Sequence, residues 1–356
     1  MTKLLPFLAA GVLVLAGCGS SSSGSGEHND SDVNVTVNDP YYRYAWHLHR
    51  PEAAFADRYG ILPDAHIRIE EAWEKSRGRG VTVAVIDDYF DPAHPDIAAN
   101  VVGTYNARTG GTDVTSPSGA STHGQWCSGL IAAVADTAGV IGAAPEAKLI
   151  LIGSAYDTDA DIIRAFEYAR THGADIISCS WGSYVVSQAV SDEIRSVYEQ
   201  NITVIFAAGN DGRDLDEPGY NDESELPWVI GVTSSSETGD RCSYSNYGSA
   251  IDLMAPGGES IGLPTTDEIS KHPNDEWLGK GYRFFHGTSA SAPVVAATAA
   301  LLKSRDPSLT PERLRTLLIE TADKTGNAPY GADGFELRHA FGKLNAGRAM
   351  EVLTRR

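Results

Sequence analysis

Apolar residues along this chain gather in short continuous runs instead of alternating with polar ones. Residues 81–86 read Val-Thr-Val-Ala-Val-Ile, and 148–152, 176–178 and 203–207 are further runs of the same kind. A strand covered on both faces has no solvent side to mark with polar residues, so such runs predict central strands of a parallel sheet. Between them, 124–135, 159–172 and 187–200 carry helical patterns. Strand–helix–strand succession puts helices on both faces of the sheet, so the predicted class is α/β with a mostly parallel central sheet. A helix is expected over 66–75 with Ala72 and Trp73 inward, and another after Thr310-Pro311, where a capping threonine precedes proline. No internal repeat or second domain appears.

The first forty residues follow other rules. Lys3 precedes an apolar stretch, residues 4–16, that is too short to span a bilayer, so 1–17 reads as a signal peptide. It ends in Leu15-Ala16-Gly17-Cys18, which resembles the bacterial lipoprotein cleavage box. That resemblance implies a lipid-modified Cys18 holding the chain to a bilayer in the cell envelope. Gly19 after it implies the outer membrane if the host is Gram-negative. The alternative is an ordinary signal peptide with a chance cysteine. Residues 18–38 are rich in Ser and Gly and then polar, a flexible tether. Order is expected from Asp39-Pro40, because Tyr41, Tyr42, Tyr44 and Trp46 are too dense for a linker and should pack on the main domain.

Net charge changes the list of partners. At −19 over 356 residues, the chain offers no basic surface to nucleic acid or anionic lipid. With Cys18 set apart, Cys127, Cys179 and Cys242 are an odd number, so at least one thiol is free. Cys127 and Cys179 lie in apolar surroundings suited to inert buried thiols.

Chemistry concentrates where strands stop. Asp87 and Asp88 end the first strong strand, His123 opens a helix, and Asn210 follows the strand ending at Ala207. Near the end of the chain, Phe285-His286-Gly287-Thr288-Ser289-Ala290-Ser291-Ala292-Pro293 runs into the apolar 294–302. Pro293 is expected within the first helical turn. Ser289 there is either a cap on a core helix or a nucleophile beside unpaired backbone N–H groups. In open α/β sheets, functional groups gather at the carboxyl ends of strands, and an acid, a histidine, an amide and a serine all stand there.

These residues resemble the subtilisin-like serine proteases, peptidase family S8. Val83-Ala84-Val85-Ile86-Asp87 with His94-Pro95-Asp96, His123-Gly124 with Gly129, Ser180-Trp181-Gly182, 207–210 and Gly287-Thr288-Ser289 with Pro293 carry the resemblance over 39–356. It implies the three-layer subtilisin-like fold and a serine endopeptidase acting on protein or peptide substrates as a monomer. In it Asp87 orients His123, His123 activates Ser289, and Asn210 donates to the oxyanion. Ser180, Trp181 and Gly182 would hold the substrate backbone, with Ser154 on the opposite edge. Asp87-Asp88, Cys127, residues 178–182, Asp39-Pro40 with Trp46-His47-Leu48, and Ala290 lean toward the kexin branch.

Several positions depart from the family. Gln125 and Trp126 follow Gly124, and Trp126 is expected to reshape the S2 subsite or the helix packing. The acids that read dibasic sites are mostly missing. Against that, Asp211, Asp214, Asp216, Glu217, Asp222, Glu223 and Glu225 crowd the loop bordering S1. They either favour a basic P1 residue, bind Ca²⁺, or form a solvated acidic surface. Calcium is the one cofactor the resemblance implies, with Asp96 and Asp136 as ligand candidates that could instead cap or turn. A family-sized folding prodomain does not fit between Cys18 and Val81, so 39–76 is expected to be an integral packed part. Two other readings stay open: a narrow processing protease or peptide transpeptidase, and an inactive binding protein on a protease scaffold.

Overall fold

The computed structural model describes residues 37–117, 121–271 and 276–355. The signal segment, Cys18 and the tether up to residue 36 lie outside them, as do 118–120 ahead of His123. In chain order come α1 (Ala53–Tyr59), α2 (Ile69–Trp73), β1 (Thr82–Ile86), α3 (Pro95–Ala98), β2 (Val101–Asn106), α4 (His123–Ala132), β3 (Lys148–Gly153), α5 (Asp159–Thr171), β4 (Ile176–Cys179) and α6 (Gln188–Glu199). There follow β5 (Thr203–Ala207), β6 (Val229–Ser235), β7 (Leu253–Pro256), β8 (Leu263–Thr266), β9 (Tyr282–Phe285), α7 (Thr288–Arg305), α8 (Pro311–Thr321) and α9 (Ala346–Thr354).

Strands β1 to β7 form one parallel sheet in the order β2-β3-β1-β4-β5-β6-β7. Side chains alternate between two cores, as a pleated strand requires. Val83 and Val85 of β1 join one core with α4, α7, α8 and α9 residues, while Ala84 and Ile86 join the other with residues of α5 and α6. The expected α/β sandwich is therefore present, and all four strong runs are central strands. Strand β6 escaped notice because Gly231, Thr233, Ser234 and Ser235 interrupt its apolar character, although all seven of its residues are buried.

Two expectations need correction. The helix expected at 66–75 shrinks to α2, because Arg68 adopts φ 57° and its N–H bonds the His66 ring. Ala72 and Trp73 are inward as expected. Pro293 lies not in the first turn of α7 but in the second, six residues into a helix that starts at Thr288. A proline there usually costs about 3 kcal/mol and leaves the carbonyl four residues back unpaired. That carbonyl is Ser289 O, which the Ser180 hydroxyl takes up at 3.0 Å and the Cys127 thiol at 3.6 Å.

The aromatic extension packs into the larger core. Trp46 is fully buried and donates to Gly262 O at 3.0 Å. Tyr44 and Phe55 each meet Trp277 at 5.3 Å between ring centres, and each other at 5.1 Å. Trp277 lies in the long connection of the antiparallel β8–β9 hairpin. The extension thus braces the segment that leads into Ser289.

Candidate active site

The carboxyl ends of β1, β3, β4 and β5 deliver Asp87, Ser154, Ser180 and Asn210 to one edge of the sheet. The chain leaves β1 toward β2 and β3 and later returns to β4 on its other side, so this edge is a topological switch point. Asp87 is fully buried, and its two oxygens lie 2.9 and 3.1 Å from Nδ1 of His123. Burial of the ring opposes its charging. The Asp87 charge and hydrogen bond outweigh that and hold the His123 pKa well above the ordinary imidazole value. His123 is followed by glycine for a steric reason: a Cβ at Gly124 would sit 2.5 Å from the Phe90 ring and 2.9 Å from Asp87 Cβ. Burial, and then the Asp87 charge, push the neighbouring Asp88 carboxyl upward.

Ser289 is the second residue of α7, where backbone N–H groups have no helical acceptor. Gly287 precedes it at φ 106°, a conformation open to glycine. The Ser289 hydroxyl donates to Ser180 O at 3.0 Å, and Ser180 Oγ donates back to Ser289 O. Asn210 is exposed, and its Oδ1 accepts from Thr288 N at 2.9 Å and Thr288 Oγ1 at 3.0 Å. Two donors on Oδ1 fix the flip of the amide and leave Nδ2 for another acceptor. Cys127 Sγ lies 3.7 Å from Asp87 and 3.9 Å from His123. Among the described residues, Asp87, His123 and Cys127 are the acid, imidazole and thiol whose ligand atoms all lie within 4.8 Å of one another. Burial pushes the Cys127 thiol up to about 11, so it stays protonated and the trio is no ready metal site. Cys127, Cys179 and Cys242 are all free and buried.

Residues 180–182 leave β4 beside this centre. Trp181 is half-buried, with Nε1 donating to Ile86 O at 2.8 Å and its ring against Phe206. Ser154 is buried at φ 53°, with its N–H on Asp88 O. Gly182 abuts Asp222, whose Oδ2 would lie 2.5 Å from a Cβ there. The acidic loop divides into two parts. Asp211, Asp216 and Glu217 are exposed, whereas Asp222 and Glu223 are buried and bonded to the backbone N–H groups of Tyr184 and Ser183. A solvated surface describes the first group only. The second is spent on protein donors, which leaves it poorly placed to meet a basic side chain.

Gln125 is fully buried, accepting from Asp91 N and donating to Thr266 Oγ1. Trp126 does bear on helix packing. Its ring meets His123 edge-on at 5.6 Å and Phe285 at 5.2 Å, and its N–H donates to Asp267.

Farther away, Asp96 is buried and accepts from Val140 N at 3.0 Å. Burial first, then the nearby Asp136 and Asp39 charges, raise its pKa to about 7 against the pull of its donors. Asp136 is exposed, and its N–H bonds Asp39 Oδ1 at 3.1 Å. Asp39 Oδ2 is buried without a hydrogen-bond partner among the described residues. The sequence reading missed Asp39 as a member of this group. Its only signal was an acid at the onset of order.

Comparison with known proteins agrees with this geometry. Thermitase of Thermoactinomyces vulgaris is 29% identical over 306 residues, covering 84% of this chain and 96% of that protein. A calcium-dependent protease of Trichormus variabilis is 29% identical over 86% of this chain and 51% of its own length. The chain spans about half the length of several curated relatives it matches. A protease structure from Pseudoalteromonas arctica superposes with TM-score 0.73 at 26% identity, covering 90% of this chain and all of the other. The subtilase family model, Peptidase S8, matches residues 78–342, well over half of the chain, and the chain belongs to that family of subtilisin-like serine proteases.

Proposed function

We propose that this protein is a serine endopeptidase in which Ser289 attacks the scissile carbonyl of a protein or peptide substrate. The observation that carries the reading is the fully buried Asp87 carboxylate 2.9 Å from Nδ1 of His123, which leaves the other ring nitrogen, Nε2, for proton transfer. His123 Nε2 takes the Ser289 proton as the new C–O bond forms, and Asp87 stabilises the resulting imidazolium. Asn210 Nδ2 and the Ser289 N–H receive the negative charge that develops on the carbonyl oxygen. The imidazolium then protonates the leaving amine, and water repeats the sequence on the acyl-enzyme. Losing an oxyanion donor of this kind costs about 10²–10³ in kcat in a subtilisin, a relative of this chain. Ser180, Trp181, Gly182 and Ser154 line the edge along which the substrate backbone runs. Before attack the serine must turn from Ser180 O toward His123.

Asp39, Asp96 and Asp136 are the residues that would hold calcium. A buried Asp39 oxygen without a partner among the described residues, and an Asp96 carboxyl that burial raises to about 7, are features that a hard cation bound there would relieve. When bound, the ion neutralises their mutual repulsion and pins residues 134–140 to the extension. The relative named as a calcium-dependent protease supports this. Cys18 is the proposed lipid anchor that keeps the enzyme in the cell envelope. A narrow processing role is the second reading, favoured by Trp126 and Phe285 crowding His123.

Fluorophosphonate labelling tests the central claim. The purified protein should take up one label that Ser289→Ala abolishes. Labelling that survives Ser289→Ala, or none in the wild type with calcium present, would overturn it.

A further inference from the structure

The turn of α4 that presents His123 is gripped from outside by one carboxylate, Asp267 at the end of β8. Asp267 is 6% exposed, and its Oδ1 accepts from Trp126 Nε1 at 2.7 Å, Thr122 Oγ1 at 3.2 Å and Glu268 N at 2.8 Å. Its Oδ2 lies 3.9 Å from the Arg283 guanidinium, which in turn covers the Trp126 ring at 3.6 Å. Thr122 is the N-cap of α4, yet its side chain makes no capping hydrogen bond. A threonine at that position ordinarily accepts from its own helix. Here the hydroxyl donates to Asp267 instead. Trp126 stands three residues after His123 on the same helical face. Thr122 and Trp126 thus bracket the imidazole, and Asp267 holds both.

We propose that Asp267 is a positioning residue for His123, acting through Trp126 and Thr122 to hold the imidazole in line between Asp87 and Ser289. Asp87 fixes one ring nitrogen, but a ring held at one point can still swing about that bond. Trp126 at 5.6 Å and Phe285 at 5.2 Å, the latter perpendicular, bound the ring on its sides. Without Asp267 the indole loses its N–H anchor and its stacked arginine loses a counter-charge, so the wall beside His123 loosens. The inference rests on His123 being the general base.

The test compares wild type with Asp267→Ala, Asp267→Asn, Trp126→Phe and the Asp267→Ala/Trp126→Phe pair. Each is counted by fluorophosphonate titration and then assayed on a fluorogenic peptide. Asp267→Ala should lower kcat per titrated site about 10- to 100-fold with KM within about threefold, the scale of a small misplacement of a catalytic group. Asp267→Asn should recover most of that loss, because its amide oxygen still accepts the indole N–H. The double variant should be no worse than Asp267→Ala, since one residue acts through the other. The proposal is overturned if kcat of Asp267→Ala stays within threefold of wild type, if Asn fails to rescue, or if the two losses multiply. Should Asp267→Ala not fold, Trp126→Phe decides alone: lowered kcat at unchanged KM supports the proposal, and unchanged kcat sinks it. A wild type that neither labels nor cleaves overturns the proposed function itself, a separate result.

Discussion

Two groups of carboxylates in this protein use their buried oxygens in opposite ways. In the first, every oxygen is taken. Asp222 accepts from Ser224 N and Tyr184 N, and Glu223 accepts from Ser183 Oγ and Ser183 N, at 2.7–3.0 Å. These bonds hold Tyr184 at φ 60°, an uncommon conformation for a tyrosine, next to the proposed substrate edge. In the second, Asp39 keeps one buried oxygen without a partner among the described residues, and its charge and that of Asp136 bear on the buried Asp96. Charge count alone would class both groups as acidic clusters. Counting donors separates a clasp whose oxygens are all paired from a group that keeps one buried oxygen for the proposed cation.

The largest expected effect falls on the second group. Removing calcium with EDTA should lower the melting temperature by on the order of 10 °C, the scale of losing about 4 kcal/mol of ligand stabilisation from a domain this size. Calcium should restore it, and Asp39→Asn should raise the calcium concentration needed. A melting curve indifferent to EDTA would erase the distinction between the two groups. The clasp should answer differently. Glu223→Ala strips the acceptor from Ser183 and should cost about 1–3 kcal/mol in stability, with kcat/KM falling about 10-fold as the substrate edge loosens. Calcium should not rescue it; rescue would mean that the two groups are one system.

A buried base offers the smallest and sharpest check. His47 is fully buried with neither ring nitrogen paired among the described residues, much as Asp39 keeps a spare oxygen. Burial, and then the charge of His49, lower its pKa to about 3 from 6.5. Because the folded state resists the proton, stability from His47 is full above pH 6.5 and drains as pH falls toward 3. At a pH of about 5.5 the loss should be about 1 kcal/mol, and His47→Leu should remove that part of the pH dependence. An unchanged slope would place the acid sensitivity elsewhere.

Much of the architecture was legible because strands buried on both faces write themselves as unbroken apolar runs. Strands β1, β3, β4 and β5 follow that rule and stood out, whereas β6 and the β8–β9 hairpin do not follow it. Asp87, His123, Asn210 and Ser289 could be found one strand end at a time. Asp39 could not, since its bond from Asp136 N exists only after the extension folds back over the 134–140 loop. Pro293 misled for a related reason. Local helix rules place it in a first turn, and they know nothing of a Ser180 hydroxyl that arrives from another strand to satisfy the carbonyl it frees. The role of Trp126 likewise depends on Asp267, a residue carried in by a distant hairpin.

The reciprocal bonds between Ser180 and Ser289 have a mechanical consequence. Ser180 lies on the edge proposed to hold the peptide, and Ser289 is the proposed nucleophile. Each side chain grips the other's main-chain carbonyl, so when the cleft breathes, edge and nucleophile travel as a single part. Until the hydroxyl turns toward His123, a shift of the edge is therefore matched by a shift of the helix start that bears Ser289. Proline, by denying α7 one internal bond, couples the helix to the end of β4 and the proposed substrate edge beyond it.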